Sequence, residues 1–234
     1  MIIIAGATSG IARALIRRLA HEKHGLILLG RDRSELERIA KDTHIRYRVP
    51  VMIARYDAMR IEDHEALMMR IHEKHPTTKG MIILQGHMDS EDHPGLDAAR
   101  TARIHTVNGL GAITLIQAYR KANPTAEFVA AVTSIAGERG KPRNLIYNSA
   151  KASLQVYLAG LKASVKTRII DIRPGFVDTQ MTYGKRFPLT ASRERVADDI
   201  TRSLTRRGIV YTPFYWRYIM LILRSLPESV FRRL

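Results

Sequence analysis

The chain opens on an apolar run that breaks directly into a glycine turn: Met1-Ile2-Ile3-Ile4-Ala5-Gly6-Ala7-Thr8-Ser9-Gly10-Ile11-Ala12. A strand apolar on both faces is covered on both faces. A helical pattern follows the turn at once, so the first unit is strand, tight turn, helix. That order recurs down the chain. Apolar, β-branched runs fall at 2–6, 25–30, 49–55, 80–85, 127–133, 167–173 and 208–212, and helical patterns at 10–22, 33–42, 61–74, 97–122, 144–165 and 192–206. Alternation of this kind predicts an α/β fold: a single Rossmann-type, doubly wound parallel sheet of about seven strands with helices on both faces. Residues 1–212 form that domain, and 213–234 change character.

The turn also carries chemistry. Gly6 permits the tight bend, Gly10 lets backbone approach a pyrophosphate, and Ala12 is small enough to pack on the sheet. The amides of Thr8, Ser9 and Ile11 then lie at a helix N-terminus, where phosphate is stabilised. The second strand ends Leu28-Leu29-Gly30-Arg31. An NAD site usually places an acid there for the ribose hydroxyl. Gly30 has none, and Arg31 can pair with a 2′-phosphate, so NADP(H) is expected in preference to NAD(H).

Composition excludes some chemistry. The 234 residues contain no cysteine, which removes disulfides and thiolate metal sites. No metal site is expected: Met88-Asp89-Ser90-Glu91-Asp92-His93 mixes acids and histidines without a standard ligand spacing, and reads as a solvated loop near the substrate. The N-terminal run is too short for a signal peptide, and no stretch is long and apolar enough to span a bilayer. A cytoplasmic protein is expected. The net charge of +16 favours polyanionic contacts, but no nucleic-acid reading motif accompanies it, so nucleic acid is not an expected partner.

The strongest chemical signal is Ser134, followed by Tyr147-Asn148-Ser149-Ala150-Lys151. Tyr147 and Lys151 are four apart on a predicted helix and share a face. With the glycine turn, in which three residues separate Gly6 from Gly10, this resembles the classical short-chain dehydrogenase/reductase family. The resemblance covers the chain to about residue 212. It implies hydride transfer between a nicotinamide and a carbonyl or secondary alcohol. Reduction of a ketone develops negative charge on its oxygen, and a phenol can supply the proton. Free tyrosine has a pKa near 10, which a neighbouring ammonium lowers. The resemblance makes Tyr147 the acid/base, Lys151 its helper and a cofactor ribose contact, Ser134 the hydrogen-bond donor to the substrate oxygen, and Asn108 the anchor of a proton relay to the lysine.

It also implies adenine contacts at Asp57 and Ala58, an adenosine ribose contact at Gly86, and cofactor contacts along Pro174, Gly175, Val177 and Thr179. One departure stands out. Where the family usually shows Asn-Ala-Gly, this chain has Gln85-Gly86-His87. The family commonly pairs its two long helices across a homodimer or homotetramer interface, which here means 97–122 and 144–165. A catalytically silent, NADP-binding regulator or scaffold at the membrane is the alternative, against which the intact Ser134, Tyr147, Lys151 and Asn108 argue.

The tail is basic and aromatic. Between 206 and 234 there are six arginines and one acid, and the only tryptophan is Trp216. Arg217 and Arg224 are seven apart on one helical face. Such a segment suits an interfacial helix on an anionic membrane surface. Val210-Tyr211-Thr212-Pro213 and Trp216-Arg217-Tyr218-Ile219-Met220 resemble a bacterial subgroup similar to the decaprenylphosphoryl keto-pentose reductases. That likeness implies a lipid-linked carbonyl substrate and peripheral placement on the inner face of the cell membrane.

Overall fold

The computed structural model describes residues 1–180 and 188–231. Seven strands form one parallel sheet: β1 (Ile2–Ala5), β2 (Leu26–Gly30), β3 (Val51–Arg55), β4 (Gly80–Ile83), β5 (Phe128–Val132), β6 (Arg168–Pro174) and β7 (Gly208–Thr212), in the order β3-β2-β1-β4-β5-β6-β7. The expected architecture is therefore the observed one. β1 is central. Ile3 lies level with Ile27 on one side and Met81 on the other.

Successive strand side chains point to opposite faces, and the sheet sorts its residues accordingly. Ile2 and Ile4 join one core layer with α1 (Gly10–His21), α2 (Arg33–Tyr47) and α7 (Arg193–Ser203). Ile3 and Ala5 join the other, with α3 (His64–Lys74), α5 (Gly111–Ala122) and α6 (Leu145–Ser164). Each fully buried Ile or Leu contributes roughly 1.5–3 kcal/mol relative to exposure, so β1 alone fastens both layers. The chain leaves β1 toward β2 but returns from β3 to β4 on its other side. This reversal opens a crevice at the carboxyl ends of β1 and β4, where a doubly wound sheet binds its ligand.

Two helices differ most from expectation. α2 continues to Tyr47, five residues past its predicted end at 42. Thr43 is satisfied there by donating to the Ile39 carbonyl at 2.7 Å, so its β-branched side chain does not stop the helix. The predicted helix 97–122 is interrupted. α4 (Ala98–His105) is followed by a π-helical turn at Thr106–Leu110, then by α5. Two glycines let this irregular turn pack closely. A Cβ on Gly109 would lie 2.8 Å from the Ser153 hydroxyl, and one on Gly111 only 2.3 Å from the Ala58 carbonyl oxygen. Turns of this type cluster at functional sites, and Asn108 is inside this one.

The tail folds as α8 (Trp216–Ser225) and the short α9 (Glu228–Phe231). Trp216 and Met220 pack with Ile135 in a third apolar cluster. Arg217 and Arg224 are both exposed, and Arg224 also reaches Glu138 at 3.4 Å. Arg232 and Arg233 lie outside the described residues.

Candidate active site

Ser134 follows β5 and opens a short 3₁₀ turn, its hydroxyl accepting from the Ala136 amide at 3.1 Å. Gln155 on α6 holds the same turn by donating to the Ser134 carbonyl at 2.6 Å. Gly137 brings the turn against α6, since a Cβ there would meet the Ala152 amide at 2.9 Å. The serine is thus fixed relative to the helix that carries Tyr147 and Lys151.

Tyr147 and Lys151 are both buried, and the Ser134 hydroxyl lies close enough to the phenol to lower its pKa. Burial pushes the Tyr147 pKa up to about 12, and the Ser134 hydroxyl opposes the rise. Burial pushes Lys151 down to about 8, and the Asp171 carboxylate works against that fall. The Lys151 ammonium donates to the Val132 carbonyl at 3.1 Å. A neutral phenol beside a buried amine is a proton donor with its proton still in place.

Beneath them lies a buried charged group. Asp171 accepts from Thr133 at 2.5 Å and from Arg173 Nε at 2.8 Å. Arg173 is 3.5 Å from Glu138, which also accepts from the Tyr211 hydroxyl at 3.1 Å. Nothing in the sequence pattern singles out these residues, because their pairing runs across strands and into the tail.

Asn108 is completely buried. Its Nδ2 donates to the His87 carbonyl at 2.6 Å and the Ile104 carbonyl at 2.8 Å, while its Oδ1 accepts from the His87 amide at 3.1 Å. The side-chain amide grips His87 through both its N–H and its C=O, with both Nδ2 hydrogens engaged. Gln85 shows what replaces the usual asparagine. Its Oε1 accepts from Tyr56 at 2.6 Å and its Nε2 donates to the Val107 carbonyl at 3.2 Å, joining β4 to the π turn.

The glycine turn fits a dinucleotide. Gly6 has φ +79°, and a Cβ on it would lie 2.6 Å from the Gln85 amide nitrogen. A Cβ on Gly10 would meet only the Arg193 side chain, 2.8 Å from its Cδ, so a flexible cation lies across the open backbone of the turn. Ser9 caps α1 by accepting from the Ala12 amide at 3.2 Å, and the first turn holds no acid. Its uncompensated N-terminal dipole suits an anion. The sequence does not single out Arg193, because it belongs to an element some 180 residues away. Thr8 and Ile11 flank the same turn.

At the adenosine end Arg31 is exposed, and Asp32 is engaged as the α2 cap, accepting from Glu35 at 3.0 Å. Burial lowers the His87 pKa, and Arg103 and Arg31 lower it further against the opposing Asp89. Asp57 Oδ1 accepts from the Met59 amide at 3.0 Å, and Ala58 is buried against Gly111. Gly86 is exposed at the crevice. Pro174 ends β6, Gly175 donates to the Thr212 carbonyl at 3.0 Å, Val177 bridges to Ala191, and Thr179 is partly buried beyond it. Residues 181–187, which follow this segment, lie outside the described residues. Among the described residues no metal-binding group of histidines and acids is present.

A model of the short chain dehydrogenase family matches residues 1–187. An uncharacterized oxidoreductase of Mycobacterium tuberculosis is 29% identical over all of this chain and 96% of that protein. A sulfoacetaldehyde reductase of Chromohalobacter salexigens is 26% identical over 92% of this chain and 86% of that protein. Among solved structures, a short-chain dehydrogenase from Sphingobium yanoikuyae in complex with NADPH shares the fold at a TM-score of 0.83, with 20% identity over 97% of this chain and 96% of that one. A bulky-bulky ketone specific alcohol dehydrogenase from Comamonas testosteroni follows at 0.81, with 18% identity over 97% and 95%. The chain belongs to the short chain dehydrogenase family. It is an NAD(P)-dependent oxidoreductase acting on CH–OH and C=O groups.

Proposed function

We propose that this enzyme is an NADPH-dependent carbonyl reductase for a hydrophobic, lipid-linked ketone. A keto-sugar head fits the tail's likeness to the keto-pentose reductases. The observation that carries the substrate class is α8. Its inner face packs by Trp216 and Met220 against Ile135, next to Ser134, while Phe214, Tyr218, Leu221 and Ile222 stand 57–66% exposed beside Arg217. An apolar face edged by a cation suits the headgroup boundary of an anionic membrane. Among the described residues no helix is long and apolar enough to cross one.

The glycine turn, Arg193 and Arg31 would hold the dinucleotide, with Arg31 selecting for its 2′-phosphate. Asp57 and Gly86 would meet the adenosine half, and the Gly175–Val177 backbone the nicotinamide half. When bound there, the nicotinamide would provide the hydride that the carbonyl carbon accepts. Tyr147 gives its proton to the carbonyl oxygen, and Ser134 donates a hydrogen bond to the same oxygen. Lys151 favours the phenolate left behind and binds the ribose hydroxyls. A second copy would pack along α5 and α6, where Val156 is 73% exposed.

The test is NADPH oxidation against a ketone panel that includes lipid-linked keto-sugars. It is run beside co-sedimentation with phosphatidylglycerol and phosphatidylcholine vesicles. The wild type should pellet with the anionic vesicles alone. Leu221→Asp with Ile222→Asp should stay in solution yet reduce soluble ketones normally. Equal pelleting of the variant would remove the membrane reading. NADPH binding without turnover on any ketone would favour the silent regulator.

A further inference from the structure

The first turn of α6 is capped from far away. Asn144 precedes the helix in a left-handed conformation, with φ 58°, and its side chain makes no capping bond. Asp92 supplies the acceptors instead, from a loop more than fifty residues earlier in the sequence. One carboxylate oxygen accepts from the Ile146 amide at 2.9 Å and the other from the Tyr147 amide at 2.9 Å. The Asp92 carbonyl accepts from the Asn144 amide at 3.0 Å. Asp92 is 4% exposed.

Its loop is itself held. Arg100 on α4 forks onto Asp89 and reaches Glu91 at 2.7 Å. The loop begins at His87, the peptide gripped by Asn108. Residues 87–92 therefore form a strap from Asn108 at one end to the backbone of Tyr147 at the other.

We propose that Asp92 is a positioning residue for the reaction, holding Tyr147 at the depth where its phenol meets Ser134 and the substrate oxygen. The proposal rests on the carbonyl-reductase reading above. A helix start needs its free amides satisfied, and many side chains could do that locally. Here the work is done by the loop that also anchors Asn108, and one of the two amides is that of Tyr147 itself. Slack at this point displaces the phenol. A misplacement of about 1 Å in a reacting group can cost roughly a hundredfold in rate.

The experiment compares wild type, Asp92→Asn and Asp92→Ala. It measures kcat per NADPH-binding site, KM, NADPH Kd, and hydrogen exchange across the peptide containing 144–150. The asparagine keeps one acceptor and protects against simple misfolding. Expected are a kcat reduced about tenfold for Asn and up to about a hundredfold for Ala, with KM and NADPH Kd within about twofold. Exchange should quicken at the start of α6 alone. Unchanged kcat per site in both variants would overturn the proposal, as would losses in kcat and NADPH affinity of equal size. A wild type that reduces no ketone would defeat the carbonyl-reductase reading separately. Unchanged exchange at 144–150 would then still refute the role of Asp92.

Discussion

The Lys151 ammonium lies 5.8 Å from the centroid of the Tyr147 ring and gives its hydrogen bond to the Val132 carbonyl. The pair is set by a helical turn, but the pKa directions are set by burial. Both groups are pushed toward their neutral forms.

This has a pH consequence for the cofactor-free protein. Lys151 is at about 8 when folded and at its ordinary 10.5 when unfolded, so between those values the unfolded chain binds more protons and stability climbs with pH. Tyr147 is at about 12 against 10.0, so its contribution is present below 10 and lost as pH rises toward 12. Lys151→Met should abolish turnover yet stabilise the cofactor-free protein at pH 7 by about 1–3 kcal/mol, since one pKa unit is worth about 1.4. Denaturant melts of the two proteins should converge as pH approaches 10. A difference that does not change with pH would contradict the assignment.

The two glycines of the turn should fail differently. Gly6→Ala meets both a positive φ and the Gln85 backbone, and should destabilise the protein by about 2–5 kcal/mol. Gly10→Ala meets only the movable Arg193 side chain. Its thermal stability should be nearly unchanged, while NADPH Kd rises by about tenfold or more as the phosphate approach is blocked. Thermal melts with cofactor titration separate the two.

On the proposed reading Arg31 decides between the cofactors. With Asp32 engaged as a helix cap, the arginine would meet the 2′-phosphate. Arg31→Ala should weaken NADPH by roughly 10- to 150-fold, the loss of a charge-assisted bond, and NADH by less than about threefold. Equal losses in fluorescence titrations would remove the selectivity argument.

The sheet is legible in the sequence because strand, glycine turn and helix periods are local properties. Ser134, Tyr147, Lys151 and Gly10 are legible for the same reason: each sits at a fixed offset from an element end. Asp92 reads as part of a solvated loop, yet it is buried, because its partners are the amides of residues 146 and 147. Arg193 and the group of Asp171, Arg173 and Glu138 escape a sequence reading likewise, since only the fold brings them to the crevice. The π turn is hidden in what looks like one helix. Asn108 stands out in the sequence, but its grip on His87 depends on the loop's path, which the sequence does not show.

The most direct measurement is single-turnover NADPH oxidation by Tyr147→Phe beside the wild type. The variant removes one oxygen and keeps the ring. Turnover should fall by about 10²- to 10⁴-fold, the usual worth of general acid catalysis, with NADPH Kd changed less than about threefold. Retention of wild-type turnover in the phenylalanine variant would contradict the assignment of Tyr147 as the proton donor.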